Sequence, residues 1–311
     1  MFIALIPALF FGWSLGANDA SNVFGTTVSN GIVRFRVATI ISAGFILVGA
    51  LVGGSRGLET ISELSSQTIW TASIASLAAA IAVTLMTRIG LPVSSSQAMV
   101  GAILGIGIIR GSVDWLILLK VVLCWLGTPI GGIFFGFIGY KFFATFFHKI
   151  KSVQVQDATL KIAAIVIGAY GSYALGANNV GNVTGIFADI IPIQMAALLG
   201  GLSIGLGVLT YSKRVMMTVG KEIVALDSFS SVIAIFGESV TVWIYALIGV
   251  PVSTSQAIVG SVVGAGYARG SRTFNLKSLK RILFGWLETP VISGLISASL
   301  FLILRYFLKF N

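Results

Sequence analysis

Charge is scarce in this sequence. Asp, Glu, Lys and Arg make up 10% of its 311 residues, whereas a soluble domain carries about a quarter. With 56% hydrophobic residues and a mean hydropathy of +1.00, this excludes an ordinary soluble domain. Cysteine and histidine each occur once. Cys124 has no partner for a disulfide within one chain, and its apolar setting makes it a packing residue. His148 lies in a polar stretch and is read as solvated. No metal-ligand spacing, nucleophile–base pair or glycine-rich nucleotide loop is found, so an enzyme is the weakest reading and no cofactor is expected. Acids are the scarcer sign, 10 against 20 basic residues. In a soluble chain that excess would suggest a nucleic-acid partner. Here most basic residues fall in short gaps between apolar runs, the positive-inside pattern of a membrane protein.

What is present is a series of apolar stretches, at roughly 1–15, 20–33, 37–54, 69–89, 98–109, 115–147, 158–176, 180–211, 228–250, 257–268 and 282–308. An all-α integral membrane protein with about 10–12 helical segments follows, some of them re-entrant hairpins or broken helices. The stretch at 1–13 has no basic leader and reads as a first span. The run at 115–147 is too long for one straight span and predicts a break near Thr128–Pro129. Segments 56–68 and 213–227 are more polar and amphipathic, as interfacial or short buried helices are.

Repetition organises the chain. Gly16-Ala17-Asn18-Asp19-Ala20-Ser21-Asn22 returns as Gly176-Ala177-Asn178-Asn179-Val180-Gly181-Asn182. Pro92-Val93-Ser94-Ser95-Ser96-Gln97 returns as Pro251-Val252-Ser253-Thr254-Ser255-Gln256, and Trp125-Leu126-Gly127-Thr128-Pro129 as Trp286-Leu287-Glu288-Thr289-Pro290. Three motifs in one order at offsets of 159 to 161 residues mark a duplication. The expected division is a first repeat at 1–147, a cytoplasmic linker at 148–157 and a second repeat at 158–311. Arg34 and Arg36 have uncharged counterparts, while Arg56, Glu59 and Glu63 are answered by Lys213, Arg214 and Lys221. Arg269, Arg272, Lys277, Lys280 and Arg281 add a further basic cluster. This alternation predicts halves of opposite orientation in the plasma membrane, with both termini outside. Arg305 and Lys309 fit that poorly.

The serine motifs point to an anion. Pro92 and Pro251 each end an apolar helix, and hydroxyls follow at the start of the next one. A helix start presents free N–H groups, hydroxyl donors and a partial positive charge, an anion site that needs no lysine or arginine. Helix capping alone is the plainer alternative for one copy. Two copies facing each other across inverted halves would hold one tetrahedral oxyanion near the midplane. The Gly-Ala-Asn motif predicts unwound helix, with Asn18, Asp19, Asn22, Asn178 and Asn182 supplying the hard oxygens that sodium takes. Asp19, a bare acid at membrane depth, is functional by default, yet its counterpart is Asn179. Glu238 and Glu288 are second-half acids facing Ala79 and Gly127 as counterparts, and either binds a cation, carries a proton or pairs with a neighbour. Thr128 and Thr289 are cation ligands or caps before proline. Glu59 and Glu222 read as a solvated face, or as lining an entrance. Gly131, Gly132 and Gly136 read as helix-packing surfaces.

These motifs resemble those of the inorganic phosphate transporter (PiT) family over nearly the whole chain. The resemblance implies phosphate uptake coupled to sodium or protons, often in a homodimer with extracellular termini. It implies phosphate contacts at Ser94, Ser95, Ser96, Gln97, Ser253, Thr254, Ser255 and Gln256, and cation ligands around Asp19, Asn22, Asn178 and Asn182. The short linker points to a prokaryotic form. Expected partners are thus phosphate, Na+ and the bilayer. A sulfate permease, and a phosphate-binding channel or sensor, are the alternatives.

Overall fold

The computed structural model describes residues 2–188, 190–221, 226–271 and 275–308. Twelve α-helices run through them in chain order. The first half holds α1 (Phe2–Ser29), α2 (Phe35–Gly53), α3 (Ser55–Leu64), α4 (Ile69–Arg88), α5 (Ser95–Arg110) and α6 (Trp115–Phe147). The second half holds α7 (Val153–Thr184), α8 (Ile193–Tyr211), α9 (Lys213–Lys221), α10 (Ser228–Ile248), α11 (Thr254–Arg269) and α12 (Leu276–Leu308). A 3-10 turn at Gly185–Phe187 follows α7. Eight of the described helices are long and apolar enough to cross a membrane, namely α1, α2, α4, α6, α7, α8, α10 and α12. This is a multi-pass membrane protein. The short polar segments are helices too, α3 and α9. Glu222, Arg272 and Lys309 lie outside the described residues.

Hydrogen bonds locate the tip of the α4–α5 hairpin. Ser73 on α4 donates to Ala4 O near the start of α1 (2.7 Å). Three to four turns on, Asn18 of α1 donates to Thr87 Oγ1 of α4 (3.0 Å). The two helices therefore run side by side in the same direction. α1 continues from Asn18 to Ser29, about 16 Å further at 1.5 Å per residue, but α4 stops at Arg88. At the other end of the hairpin the chain is closed by the Ser65–Val113 bridge and by Asp114 N donating to Leu64 O (3.0 Å). So α4 descends, turns part-way along α1, and α5 returns. The tip lies inside the bundle, at the depth of Asn18. The α10–α11 hairpin is its sequence counterpart and turns at Gly249–Ser253.

The halves are interlocked through backbone contacts that need glycine. A Cβ on Gly16 (α1) would collide with the carbonyl oxygen of Ile204 (α8), and one on Gly176 (α7) with that of Ile46 (α2). A Cβ on Gly101 (α5) would collide with Pro290 O (α12), and one on Gly260 (α11) with Pro129 O (α6). Each contact crosses from one half to the other, and each is answered by its counterpart. Close approach of this kind replaces the hydrophobic drive that is missing between helices in lipid.

Two expectations are corrected. The Gly-Ala-Asn motifs do not unwind their helices: α1 and α7 run unbroken through 16–22 and 176–182. Their polar side chains find partners on other elements, so the backbone keeps its own bonds. Nor does α6 break at Thr128–Pro129. Proline withholds one N–H from the ladder, which a membrane helix tolerates when neighbours and hydroxyls re-satisfy it. Thr128 Oγ1 donates to Cys124 O (2.7 Å), and Thr289 Oγ1 donates to Gly285 O (2.5 Å) beside Pro290 in an equally continuous α12. Within the 148–157 segment, α7 begins at Val153. The true interruptions are the hairpin tips.

Gly16→Leu and Gly176→Leu should each force apart a backbone contact and cost about 3 kcal/mol, the upper part of the overpacking range. Gly44→Leu, with nothing within 4 Å of its Cβ position, is the control. Size-exclusion profiles of the detergent-solubilised variants should be aggregated for the first two and monodisperse for the third.

Candidate functional site at the tips of two hairpins

Each tip is built by local sequence. Gly90 and Gly249 take positive φ, 76° and 80°, and close the preceding helix in the left-handed conformation that glycine alone adopts without strain. Pro92 and Pro251 prevent helix from resuming at once. Ser94 and Ser253 then take extended backbone, and each Oγ accepts the N–H three residues on, Gln97 and Gln256, at 3.2 Å. These two serines are N-caps. The first-turn N–H groups of Ser95, Ser96, Thr254 and Ser255 precede the first intrahelical bond and point out of the helix starts.

Two asparagines anchor the tips. Asn18 Nδ2 donates to Leu91 O (3.0 Å), and Asn178 Nδ2 donates to Val250 O (3.0 Å). Asn178 also accepts from Val252 N–H (2.9 Å). One turn further along the same helix faces, Asn22 and Asn182 reach across. Asn22 Nδ2 donates to Ser255 Oγ (2.9 Å) and Thr254 Oγ1 (3.3 Å), while Asn182 Nδ2 donates to Ser96 Oγ (2.8 Å). The tips are also tied directly: Ser96 Oγ lies 2.9 Å from Val252 O, and Ser255 Oγ donates to Val93 O (2.7 Å). Two helix N-termini from different halves thus meet in one place, flanked by α1 and α7.

The symmetry fails at the charges. Asp19 Oδ1 accepts from Ser95 Oγ (2.9 Å). Its counterpart Asn179 instead places Oδ1 3.2 Å from Ser96 Oγ and accepts from Asn182 Nδ2 (2.9 Å). All these groups are buried, Asp19 at 1% exposure. The oxygens Asn18 Oδ1, Asn22 Oδ1 and Asn182 Oδ1 have no hydrogen-bond partner among the described residues, nor have Gln97 Oε1 and Gln256 Oε1. A buried polar atom left unpaired costs about 1–3 kcal/mol. Such a concentration beside a carboxylate is a set of hard oxygen ligands suited to a small cation. The two glutamines face a cavity of about 510 Å³ shared by both halves, walled by Trp125 and Trp286 and by Pro129 and Pro290.

Glu238 stands apart, on α10. It is fully buried; Oε2 accepts from Ser239 Oγ (3.2 Å) and Oε1 has no partner. Gly171 of α7 abuts this carboxylate and Val23 of α1. Neither Asp19 nor Glu238 forms a salt bridge among the described residues. Thr128 and Thr289 are buried but bond within their own helices, and Glu288 is exposed on α12. None of these three hydrogen-bonds to the cluster. Sequence reasoning left out two participants, Asn179 and Thr87. Asn179 was visible as the fourth member of its motif; Thr87, a helix-interior threonine on α4, carried no signal.

Asn178→Ala should leave Val250 O and Val252 N–H unpaired, destabilising the protein by about 2 kcal/mol or more. A clear fall in Tm in detergent is expected; an unchanged Tm would contradict its anchoring role.

Comparison with known proteins places the chain among membrane transporters. A Pyrococcus horikoshii protein provisionally named a phosphate permease is 28% identical, over 97% of each chain. The sulfate permease CysP of Bacillus subtilis is 29% identical, over 98% of this chain and 88% of its own. A solved structure described as the sodium-dependent phosphate transporter superposes with a TM-score of 0.88 at 26% identity, over 98% of this chain and 99% of that one. The model of the phosphate transporter family matches residues 15–297, and the chain belongs to that family.

Proposed function

We propose that this protein imports inorganic phosphate together with Na+, by alternating access around the paired hairpin tips. The observation that carries the reading is the meeting of two helix N-termini beside one buried carboxylate. The first-turn N–H groups of α5 and α11, with the hydroxyls of Ser95 and Thr254, form the oxyanion cradle. Ser94 and Ser253 shape it as caps, and Ser96 and Ser255 join its halves. Asp19 with the amide oxygens of Asn22 and Asn182 receives sodium, and Glu238 offers a further cation position between α1, α7 and α10. A carboxylate buried without a basic partner is costly. Sodium compensates that charge and adds a positive field for phosphate. Each ligand therefore raises the other's affinity by the same factor.

The reading includes halves inverted in the membrane, with the termini outside. The reciprocal contacts between halves support a two-fold relation, and the alternating basic gaps support the inversion. The tip then lies near the midplane, which suits a site opened first to one face and then to the other.

The sulfate permease relative favours a second reading, sulfate as cargo. The site chemistry leans to phosphate. Hydrogen phosphate carries an O–H donor that sulfate at neutral pH lacks. Acceptors stand close by in Asp19, Gln97 and Gln256, and a site whose acceptor is left unpaired discriminates against the ligand lacking the donor.

Proteoliposomes given separate sodium and pH gradients should accumulate labelled phosphate uphill only with inward sodium, and excess sulfate should not compete. Asp19→Asn should lower sodium-driven uptake about tenfold or more, the equivalent of roughly 1.4 kcal/mol. Uptake driven by pH alone would replace sodium with protons as the coupling ion. Full inhibition by sulfate would favour the second reading, and passive equilibration alone would sink coupled transport.

A further inference from the structure

Away from the hairpin tips, a partly open cavity of about 210 Å³ lies between the end of α6 and the starts of α7 and α10. Its walls are apolar: Phe143, Phe146 and Phe147 of α6, Leu160 and Ala163 of α7, and Phe229 of α10, with Thr159 the sole polar residue lining it. It reaches along α7 from Thr159 to Ile167, about 9 to 21 Å below the helix start at Val153 at 1.5 Å per residue. It thus runs from the polar start of α7 into the apolar stretch of that helix. Apolar cavities of this size stay dry and take up hydrocarbon.

The rim is basic. Lys149 and Lys151 are exposed, and neither forms a salt bridge among the described residues. Ile150, between the two, lines the cavity. Lys149 Nζ lies 5.7 Å from the centre of the Phe146 ring, which is itself part of the wall. His148 stands 6.3 Å from the rings of both Phe147 and Phe229. Two acids are nearby. Asp227 is engaged by Arg269 (3.0 Å) and caps α10 through Ser230 N–H (2.7 Å), while exposed Asp157 faces solvent. The local balance is positive.

We propose that this is a binding site for one anionic phospholipid of the surrounding bilayer. An acyl chain enters the phenylalanine-lined cavity, and the headgroup phosphate rests on Lys149 and Lys151. Basic pockets between helices at a membrane surface recognise headgroups in this way. A zwitterionic lipid of the same chains fills the cavity but brings no net charge to the rim, and free phosphate brings charge but no chain. The lipid would bridge the last helix of the first half and two helices of the second, beside the stacked rings of Phe147 and Phe229.

Native mass spectrometry of the delipidated whole protein in dodecyl maltoside tests this, with added dioleoylphosphatidylglycerol or dioleoylphosphatidylcholine. The expected result is one tightly retained phosphatidylglycerol, unaffected by added inorganic phosphate, and little phosphatidylcholine. Lys149→Gln with Lys151→Gln should weaken retention about fivefold per lysine. Thr159→Trp, at an exposed part of the lining, should block the cavity and abolish retention without disturbing the fold, as gel filtration and Tm report; Ala163→Trp is a second blocking variant. Equal retention of the two lipids overturns the proposal, and so does retention that survives either the charge variant or both blocking variants. Sodium-driven uptake is a separate readout, so failure here leaves the transport reading standing, and the reverse.

Discussion

Polar groups buried in an apolar bundle must find partners, and the centre of this protein is organised by that requirement. A hairpin that stops part-way through the bundle leaves backbone N–H and C=O groups with no helix to satisfy them. Asn18 and Asn178 take up the carbonyls of the two tips, and Ser96 and Ser255 bridge each tip to the other. Without those bonds the tips would be unaffordable at membrane depth, where each unsatisfied group costs several kcal/mol. With them, two helix N-termini are held against each other, although their partial positive charges repel. Negative charge nearby stabilises that arrangement. Asp19 supplies some of it, and the proposed oxyanion supplies the rest.

Duplication explains why so few residue types accomplish this. Each half contributes one tip and one asparagine helix, and each tip is gripped by both helices. Asn22 of the first half holds Ser255 of the second, and Asn182 of the second holds Ser96 of the first. A movement of one half therefore strains bonds made by the other, which is the coupling that alternating access needs. The glycine–carbonyl contacts extend the exchange along the helices. The departures from symmetry are chemical: Asp19 against Asn179, and Glu238 against Ala79. They confine charge to selected positions in a frame that is otherwise paired.

Much of this was legible in the sequence, because duplication printed each motif twice. The hairpin tips were marked by Gly-x-Pro-x-Ser, and the cluster residues by asparagines in an apolar run. The state of the helices was less legible. A polar motif inside a span suggests unwinding when only its own helix is considered. The partners that let α1 and α7 stay intact, Thr87, Leu91 O and Val250 O, are about 70 residues away in the chain. Pro129 misled for a similar reason, since its cost depends on Thr128 and on packing against Gly260. Roles within the serine motifs were also hidden. Four consecutive polar residues look alike in sequence, but Ser94 is a cap, Ser95 meets Asp19, Ser96 ties the tips and Gln97 turns to the tryptophan-walled cavity.

The central claim is that the oxyanion cradle and the Asp19 cation position are one thermodynamic unit. Isothermal titration of the purified protein with phosphate, in sodium and then in choline, measures it directly, together with titration of sodium with and without phosphate. The account predicts that sodium strengthens phosphate binding, that phosphate strengthens sodium binding by the same factor, and that Asp19→Asn removes both effects. Phosphate affinity that is equal in sodium and choline would contradict it.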